Sequence, residues 1–246
     1  MSEPLLSIRG VSKYFGGVHA LEDVSMDLKA GEVVALAGDN GAGKSTLIKA
    51  VSGVYKADRG EIRLDGTPIS FESPQQARDR GIETIYQDLA LADNLSIGAN
   101  IFLGREPKRR AFGFLPVLDR ALMADAAQET MRRLDFHVDR LEAPVSAFSG
   151  GQRQAVAIGR AIYWNAKVLI MDEPTAALGV PEQRKVLALV MALKEQGKGV
   201  IFISHNLGDI FAVADRIVVL RRGIKAGERV PAETTSDEIV RLMVGG

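Results

Sequence analysis

The stretch GDNGAGKST, residues 38–46, places three glycines and one lysine directly after the apolar run VVALA, Val33–Ala37. The apolar run predicts a short buried strand, and KSTLIKAVSG, residues 44–53, predicts a helix that ends at Gly53. Glycines between a strand and a helix let successive backbone N–H groups converge on one anion, to which the helix presents its positive end. The sequence therefore predicts a phosphate-binding loop.

The spacing within this loop assigns roles to its last residues. The pattern runs Gly38-x-x-x-x-Gly43-Lys44-Ser45. In a loop of this kind the lysine reaches the β- and γ-phosphates of a nucleotide, and the hydroxyl that follows it ligates Mg²⁺. The alternative is a glycine-rich turn with an exposed lysine, and the strand–loop–helix context argues against it. We therefore predict nucleotide binding through Lys44 and Ser45.

Composition limits the remaining function classes. The 246 residues are 46% hydrophobic and 25% charged, which suits one large domain or two coupled lobes. Thirty-one basic residues balance thirty-one acidic ones, so no global positive field favours a nucleic-acid partner. The basic cluster at 108–110 is interpreted as a solvated loop. Because the chain has no cysteine, disulfides, thiolate metal sites and a thiol nucleophile are excluded.

The sequence also carries an expectation about location. The N-terminal stretch MSEPLLSIRG has no basic region followed by an apolar core, so a secretory signal is not predicted and a cytoplasmic protein is expected. The longest apolar run, residues 186–193, is far shorter than the roughly twenty residues that span a bilayer. Any membrane role is therefore expected to be peripheral.

The hydrophobic pattern divides the chain into three segments. Residues 1–86 alternate short apolar runs with glycine-rich turns and predict a strand-rich lobe with one helix. Residues 87–166 show helical spacing with few β-branched residues and predict an inserted helical lobe. In residues 167–246 strands alternate again with helices. The predicted fold class is α/β, with a largely parallel sheet and ligands at the carboxyl ends of its strands.

A second site feature is KVLIMDEP, residues 167–174, where an apolar strand ends in two acids. A carboxylate at the tip of a buried strand is costly without a nearby cation. Asp172 is therefore the predicted Mg²⁺ residue, and Glu173 is predicted to polarise the water that attacks the γ-phosphate. The alternative is an acidic pair that begins a turn before Pro174.

A third feature is SAFSGGQRQ, residues 146–154, where Ser149, Gly150 and Gly151 begin a predicted helix. A serine at this place is an ordinary N-cap in most proteins. An exposed helix N-terminus with bare N–H groups and a hydroxyl is also suited to binding an anion. The residues alone leave both interpretations open.

Together these motifs resemble those of the ATP-binding-cassette ATPases. GDNGAGKST is similar to their first nucleotide motif, FSGGQ to their signature and LIMDEP to their second nucleotide motif. The resemblance extends over essentially the whole chain. It implies a phosphate-loop NTPase core, an N-terminal antiparallel β subdomain and an inserted helical subdomain, with ATP and Mg²⁺ as cofactors.

The resemblance also assigns individual residues. Phe15 would stack on adenine, with Tyr14 as the alternative. Gln87 would be the lid-loop glutamine and His205 the switch histidine, so that Glu173, His205 and Gln87 form the catalytic set. Ser45, Gln87 and Asp172 would serve the metal. The implied ATP-binding residues are Phe15, Gly38, Asn40, Gly41, Gly43, Lys44, Ser45 and Thr46.

In this family two cassettes meet head to tail, so the signature of one would serve the ATP bound by the other. The signature residues are Ser149, Gly150, Gly151 and Gln152. The expected partners are a second ATP-binding subunit, forming a homodimer if two copies pair, and membrane permease subunits on the inner face of the cell membrane. An extracytoplasmic sugar-binding protein would act indirectly, and no nucleic acid is expected.

Further stretches, such as MDEPTAALGV and ISHNLGDIFAVADRIVVLRRG, are similar to ATPase subunits that drive bacterial uptake of ribose, xylose or fructose. That subgroup commonly fuses two cassettes, whereas this chain has one. Gly179 stands where many family members have Asp, which bears on communication between the two ATP sites. The alternative function is a soluble cassette ATPase acting on ribosomes or nucleic acid, but the chain lacks a tandem cassette and a coiled coil.

Overall fold

The structure, a computed structural model, describes residues 3–112, 114–134, 136, 140–176 and 178–245. Strands and helices alternate through most of this part of the chain. The strands are β1 (Leu6–Phe15), β2 (Val18–Leu28), β3 (Val33–Ala37), β4 (Arg59–Leu64), β5 (Thr67–Ile69), β6 (Ile82–Ile85), β7 (Lys108–Ala111), β8 (Leu115–Leu118), β9 (Val168–Asp172), β10 (Gly199–Ile203), β11 (Arg216–Arg221) and β12 (Ile224–Arg229). The helices are α1 (Lys44–Val51), α2 (Pro74–Asp79), α3 (Ile97–Ile101), α4 (Arg120–Arg133), α5 (Gly150–Tyr163), α6 (Val180–Glu195), α7 (Leu207–Val213) and α8 (Ser236–Val244).

The central sheet brings the predicted site motifs to one edge. Its strand order is β12-β11-β3-β10-β9-β6, and β12 alone of these described strands runs antiparallel to its neighbour. Because the carboxyl ends of parallel strands lie along one edge of a sheet, the segments that follow β3, β6, β9 and β10 meet there. The predictions of an α/β fold and a largely parallel sheet are confirmed.

The strand before the phosphate loop is buried on both faces. All five side chains of β3 are buried, with Val33 and Ala35 facing one hydrophobic core and Val34 and Leu36 facing the other. Such double burial explains why β3 is a continuous apolar run and not an alternating one. The loop that follows is therefore anchored at the centre of the sheet.

A separate antiparallel sheet with the order β2-β1-β4-β5 forms the N-terminal subdomain. Gly60 of β4 lies beside the register shift between Arg9 and Ser12 of β1, and its φ angle is +80°. A Cβ atom at this position would lie 2.3 Å from the carbonyl oxygen of Gly10, so no other residue fits. Phe15 is the last residue of β1, at the end of this sheet.

The segment between β6 and β9 contains the predicted helices α3, α4 and α5, which pack on one another around a shared core. Asn100 on α3 is fully buried, and its amide bonds to the backbone of Ala92, Leu95 and Ser96. These bonds satisfy a polar group that would be costly to bury unpaired. They also fix the loop that enters the lobe.

The same segment contains an antiparallel hairpin, β7–β8, that the helical pattern did not predict. Nearly every described side chain of the two strands is exposed, including Lys108, Arg109 and Arg110. A hairpin without a buried face has no apolar alternation, which is the signal from which strands are recognised. Among the helices of the described residues, none is both long and apolar enough to cross a bilayer.

Candidate active site

The phosphate loop connects β3 to α1 through residues with positive φ. Gly38, Gly41 and Gly43 have φ angles of +151°, +80° and +104°, which side chains with a Cβ rarely adopt. A Cβ atom on Gly38 would also lie 2.4 Å from the carbonyl oxygen of Leu220. Helix α1 begins at Lys44 with no side-chain cap on its first N–H groups. These donors are therefore available to an anion held by the loop.

Lys44 lies over the loop that precedes it. Its Nζ donates to the carbonyl oxygens of Gly38 at 2.5 Å and Asp39 at 3.1 Å. Burial lowers the pKa of Lys44, whereas the nearby charges of Glu173 and Asp172 act in the opposite direction. An ammonium group held in this position can contact a phosphate bound in the loop with little reorganisation of the backbone.

The three residues assigned to the metal line one open cleft. Ser45 from α1, Asp172 from the end of β9 and Gln87 from the loop after β6 border a space of about 840 Å³. Burial and the adjacent Glu173 carboxylate raise the pKa of Asp172, and Lys44 partly offsets this. A hydroxyl, an amide carbonyl and a carboxylate are the hard oxygen donors that suit Mg²⁺, so the donor set fits this ion.

Glu173 and His205 are in direct contact at the same edge. Oε2 of Glu173 lies 2.7 Å from Nδ1 of His205, and the Glu173 N–H donates to the carbonyl oxygen of Ile203 at 2.9 Å. Glu173 has φ +52°, a left-handed conformation that is unfavourable for a glutamate. The hydrogen bond that Glu173 N donates to β10 therefore holds a strained backbone, and the contact with His205 fixes the carboxylate.

The two aromatic residues at the end of β1 have different environments. Phe15 is 42% exposed and makes an edge-to-face contact with Tyr55, with ring centroids 5.1 Å apart. The Tyr14 hydroxyl donates to Glu22 at 3.1 Å, and its ring packs against His19. The ring of Phe15 is thus open to a stacking partner, whereas that of Tyr14 is engaged within the β subdomain.

Three of the signature residues, Ser149, Gly151 and Gln152, border a different cleft, of about 770 Å³, formed with α6. Ser149 is the N-cap of α5: its Oγ accepts from Gln152 N at 3.3 Å, and Gln152 Oε1 accepts from Ser149 N at 2.9 Å. Gly151 packs closely against α6, since a Cβ atom there would lie 3.1 Å from Cγ of Glu182 and the glutamate side chain would have to shift. The N-cap interpretation of Ser149 is therefore confirmed, and Ser149 and Gly150 also remain exposed.

Comparison with known proteins identifies the family. The family model described as ABC transporter matches residues 21–176. The chain belongs to the ABC transporter family. It is an ATP-binding cassette of the ATPase class, as the resemblance of its motifs implied.

Relatives of this cassette match it along nearly its whole length. It is 50% identical to the xylose/arabinose import ATP-binding protein XylG of Sulfolobus acidocaldarius, over 97% of this chain and 93% of the relative. It is 46% identical to the fructose import ATP-binding protein FrcA of Rhizobium meliloti, over 99% and 95%. It is 49% identical to ribose import ATP-binding protein RbsA 1 of Rubrobacter xylanophilus, where it spans 47% of the relative. Relatives of about this chain's length and relatives about twice as long therefore both occur.

Solved cassettes share this fold. A nucleotide-free ATP-binding cassette from an ABC transporter superposes with a TM-score of 0.82 at 25% identity, covering 99% of this chain and 96% of its own. A dimeric cassette in a post-hydrolysis state, bound to ADP and phosphate, gives a TM-score of 0.76 at 25% identity and covers 92% and 98%. The β subdomain, the parallel sheet and the helical lobe of this chain thus have counterparts in known cassettes.

Two contacts in this cassette involve residues that sequence reasoning missed. Thr175 and Asp209 are both buried, and the threonine hydroxyl donates to the carboxylate at 2.7 Å. Arg160 of α5 donates to the carbonyl oxygen of Ala90, beyond Gln87. The paired residues are 34 and 70 positions apart, and no short motif marks such pairs.

Proposed function

We propose that this cassette hydrolyses ATP to drive the import of a monosaccharide through a membrane permease. The observation that carries the proposal is the meeting of Lys44, Asp172, Glu173 and His205 at one edge of the sheet, with Gln87 bordering the same cleft. Two near-full-length relatives are named as xylose/arabinose and fructose import proteins, which supports a sugar as the cargo.

The residues divide the chemistry between positioning and activation. Lys44 and the uncapped N–H groups of α1 would hold the phosphates, while Ser45, Gln87 and Asp172 would hold Mg²⁺. The ion would neutralise charge that develops on the transferred phosphoryl group. Glu173 would accept the proton of the attacking water, and His205 would orient that carboxylate through its 2.7 Å contact. Phe15 would stack on the adenine ring.

The site is completed by a second copy of the chain. The phosphate loop and the signature border different clefts of one molecule, so one chain cannot place both on the same nucleotide without large rearrangement. In a head-to-tail dimer, Ser149 and the N-terminus of α5 from one subunit would contact the γ-phosphate held by the other. A solved relative is itself dimeric, which supports this arrangement.

The permease would bind beside the lid loop, through residues 87–104. A cavity of about 310 Å³ lies there and is lined in part by Ser96, Ala99 and Met123. Because the lid glutamine contacts the γ-phosphate site, ATP binding can move this surface. The cassette would then work on the cytoplasmic face of the cell membrane, with an extracytoplasmic sugar-binding protein on the opposite side.

Reconstitution tests the proposal. With the permease in vesicles, ATPase activity is expected to rise when the sugar-loaded binding protein is supplied, and Asp88→Ala is expected to uncouple hydrolysis from uptake. Glu233→Ala, in the short turn before α8, is the matched control and is expected to leave coupling unchanged. ATPase activity that responds to ribosomes or DNA and ignores every permease would overturn the transport proposal.

A further inference from the structure

The lid loop, residues 86–96, joins β6 to α3 and includes a strained turn. Leu89 and Ala90 have φ angles of +59° and +45°, so two successive residues other than glycine adopt the left-handed conformation. Each such residue is sterically strained, because its Cβ atom approaches the following carbonyl oxygen. Within the loop, Leu89 N donates to the Tyr86 carbonyl oxygen at 2.8 Å, and Ala90 N donates to Asp88 Oδ1 at a long 3.3 Å. The turn therefore depends on contacts from outside the loop.

Arg160 on α5 supplies one of these contacts. Its Nη1 donates to the carbonyl oxygen of Ala90 at 3.2 Å, and its Nε lies 3.7 Å from Oε1 of Glu83 on β6. The arginine side chain is 13% exposed and the glutamate side chain 7%. At 3.7 Å the pair is held by charge and not by a hydrogen bond. Removal of either partner would leave the other charge buried and uncompensated.

A second contact fixes the far end of the loop. Arg153, also on α5, forms an ion pair with Asp93 at 2.5 Å. Backbone bonds from Ser146 N to the Asp93 carbonyl oxygen and from Val145 N to the Leu95 carbonyl oxygen lie beside it. The lid loop is thus attached at two places to the helix and the segment that carry the signature.

We propose that Arg160 is a positioning residue for Gln87. Glu83 fixes the guanidinium group, the guanidinium holds the Ala90 carbonyl, and the left-handed turn then keeps Gln87 at the cleft that contains Ser45 and Asp172. Arg160 touches no nucleotide in this scheme. The proposal rests on the role assigned to Gln87 under the proposed function.

Hydrogen–deuterium exchange on the nucleotide-free protein tests this role. Arg160→Lys keeps a positive charge beside Glu83 but replaces the planar fork by a single ammonium group, which cannot serve both partners. Loss of a hydrogen bond from a charged donor is expected to speed exchange of the lid-loop amides about tenfold. The amides of β9 should keep wild-type rates, and so should the lid loop of Arg133→Lys, whose exposed arginine pairs with Glu129 on α4.

Steady-state kinetics provide a second readout. Because Lys44 and the phosphate loop are untouched, Arg160→Lys should lower kcat about tenfold while the KM for ATP stays within about twofold. Glu83→Gln should speed lid-loop exchange in the same way, and it keeps the proposal testable if the arginine variant fails to fold. In the double variant Arg160→Lys/Glu83→Gln, lid-loop exchange should be little faster than in either single variant, because both residues act through one contact.

Two results would overturn the proposal. One is wild-type exchange of the lid-loop amides in both single variants. The other is an equal increase of exchange in β9 and in the lid loop, which would reduce Arg160 to a general packing residue. Exchange in the nucleotide-free protein needs neither hydrolysis nor transport. A wild-type protein without ATPase activity would therefore refute the proposed function while this measurement still decided the positioning role.

Discussion

The two halves of the candidate ATP site differ in what holds them in place. The phosphate loop and Glu173 follow strands of the central sheet, and Asp172 is the last residue of one. These strands are buried on both faces and hydrogen-bonded on both sides. The signature begins at the N-terminus of α5 and is held by a capping box and by packing against α6. The sheet edge suits chemistry that needs fixed geometry, whereas the helix end suits a contact made and broken with a partner. Substitutions at the sheet edge should therefore impair ATP binding or hydrolysis within one subunit, whereas substitutions in the signature should impair the contact with the partner.

The largest effect is expected at the sheet edge, from Glu173→Gln. The amide keeps the shape of the side chain but cannot accept a proton from water. Hydrolysis is therefore expected to fall by at least about 10², while ATP binding is retained. Gel filtration with ATP should show accumulation of an ATP-bound dimer. Glu129→Gln on α4 is the control, and normal turnover of Glu173→Gln would show that another group activates the water.

Lys44→Ala should act mainly by lowering the affinity for Mg-ATP and not by slowing the hydrolysis step. In the proposed site its ammonium group would make a charge-assisted contact to the phosphates worth about 1.5–3 kcal/mol, so affinity for Mg-ATP is expected to fall about 10- to 100-fold. Titration with a fluorescent ATP analogue measures this, with Lys108→Ala on the β7–β8 hairpin as the matched control. Near wild-type affinity would show that the loop is not part of the ATP-binding site.

Ser149→Ala should distinguish the signature half from an ordinary helix cap. Loss of the cap is expected to lower the free energy of unfolding by about 1 kcal/mol. Thr235→Ala is the matched control, because Thr235 Oγ1 caps α8 by accepting from Glu238 N at the same 3.3 Å.

Both cap variants should lose similar stability by chemical denaturation. Only Ser149→Ala should also lower ATPase activity, by about tenfold, with unchanged ATP affinity of the monomer. If the two variants have equal activity, Ser149 acts as a cap and does not contact the partner's ATP.

The smallest effect is expected far from both halves, at Glu228 on β12. Burial raises the pKa of this carboxyl, but the hydrogen bond from Lys225 and the charge of Arg216 more than offset it, so the pKa lies below the ordinary value of 4.5. An acid with a lowered folded-state pKa stabilises the protein above its unfolded pKa and loses that contribution as pH falls through the folded value.

Glu228→Gln should therefore cost about 0.5–1 kcal/mol near pH 7, and the difference from wild type should shrink below about pH 4. Urea denaturation at several pH values measures both quantities. ATPase activity should not change. A difference that is constant with pH would show that packing and not charge explains the loss.

The sequence alone predicted which residues lie together at this edge of the sheet, because each motif there is found at the end of an apolar strand. Lys44, Asp172 and His205 lie within a few residues of such a strand, so the pattern of strands already placed them together. The left-handed backbone of Glu173 and the Thr175–Asp209 bond were not predictable, since they depend on packing between distant segments. The β7–β8 hairpin was missed for a different reason, because its strands bury almost nothing.

The strand order of the central sheet also sets when the protein can assemble. β3 is made early in synthesis, yet its two sheet neighbours are β10 and β11, which lie in the last fifth of the chain. While the ribosome is still adding the helical lobe, β3 has no strand to pair with and its apolar faces are uncovered. Long-range pairing of this kind is slow and exposes the chain to aggregation. We expect a nascent chain that ends before residue 199 to be unable to retain ATP, so nucleotide binding should appear only near the end of translation.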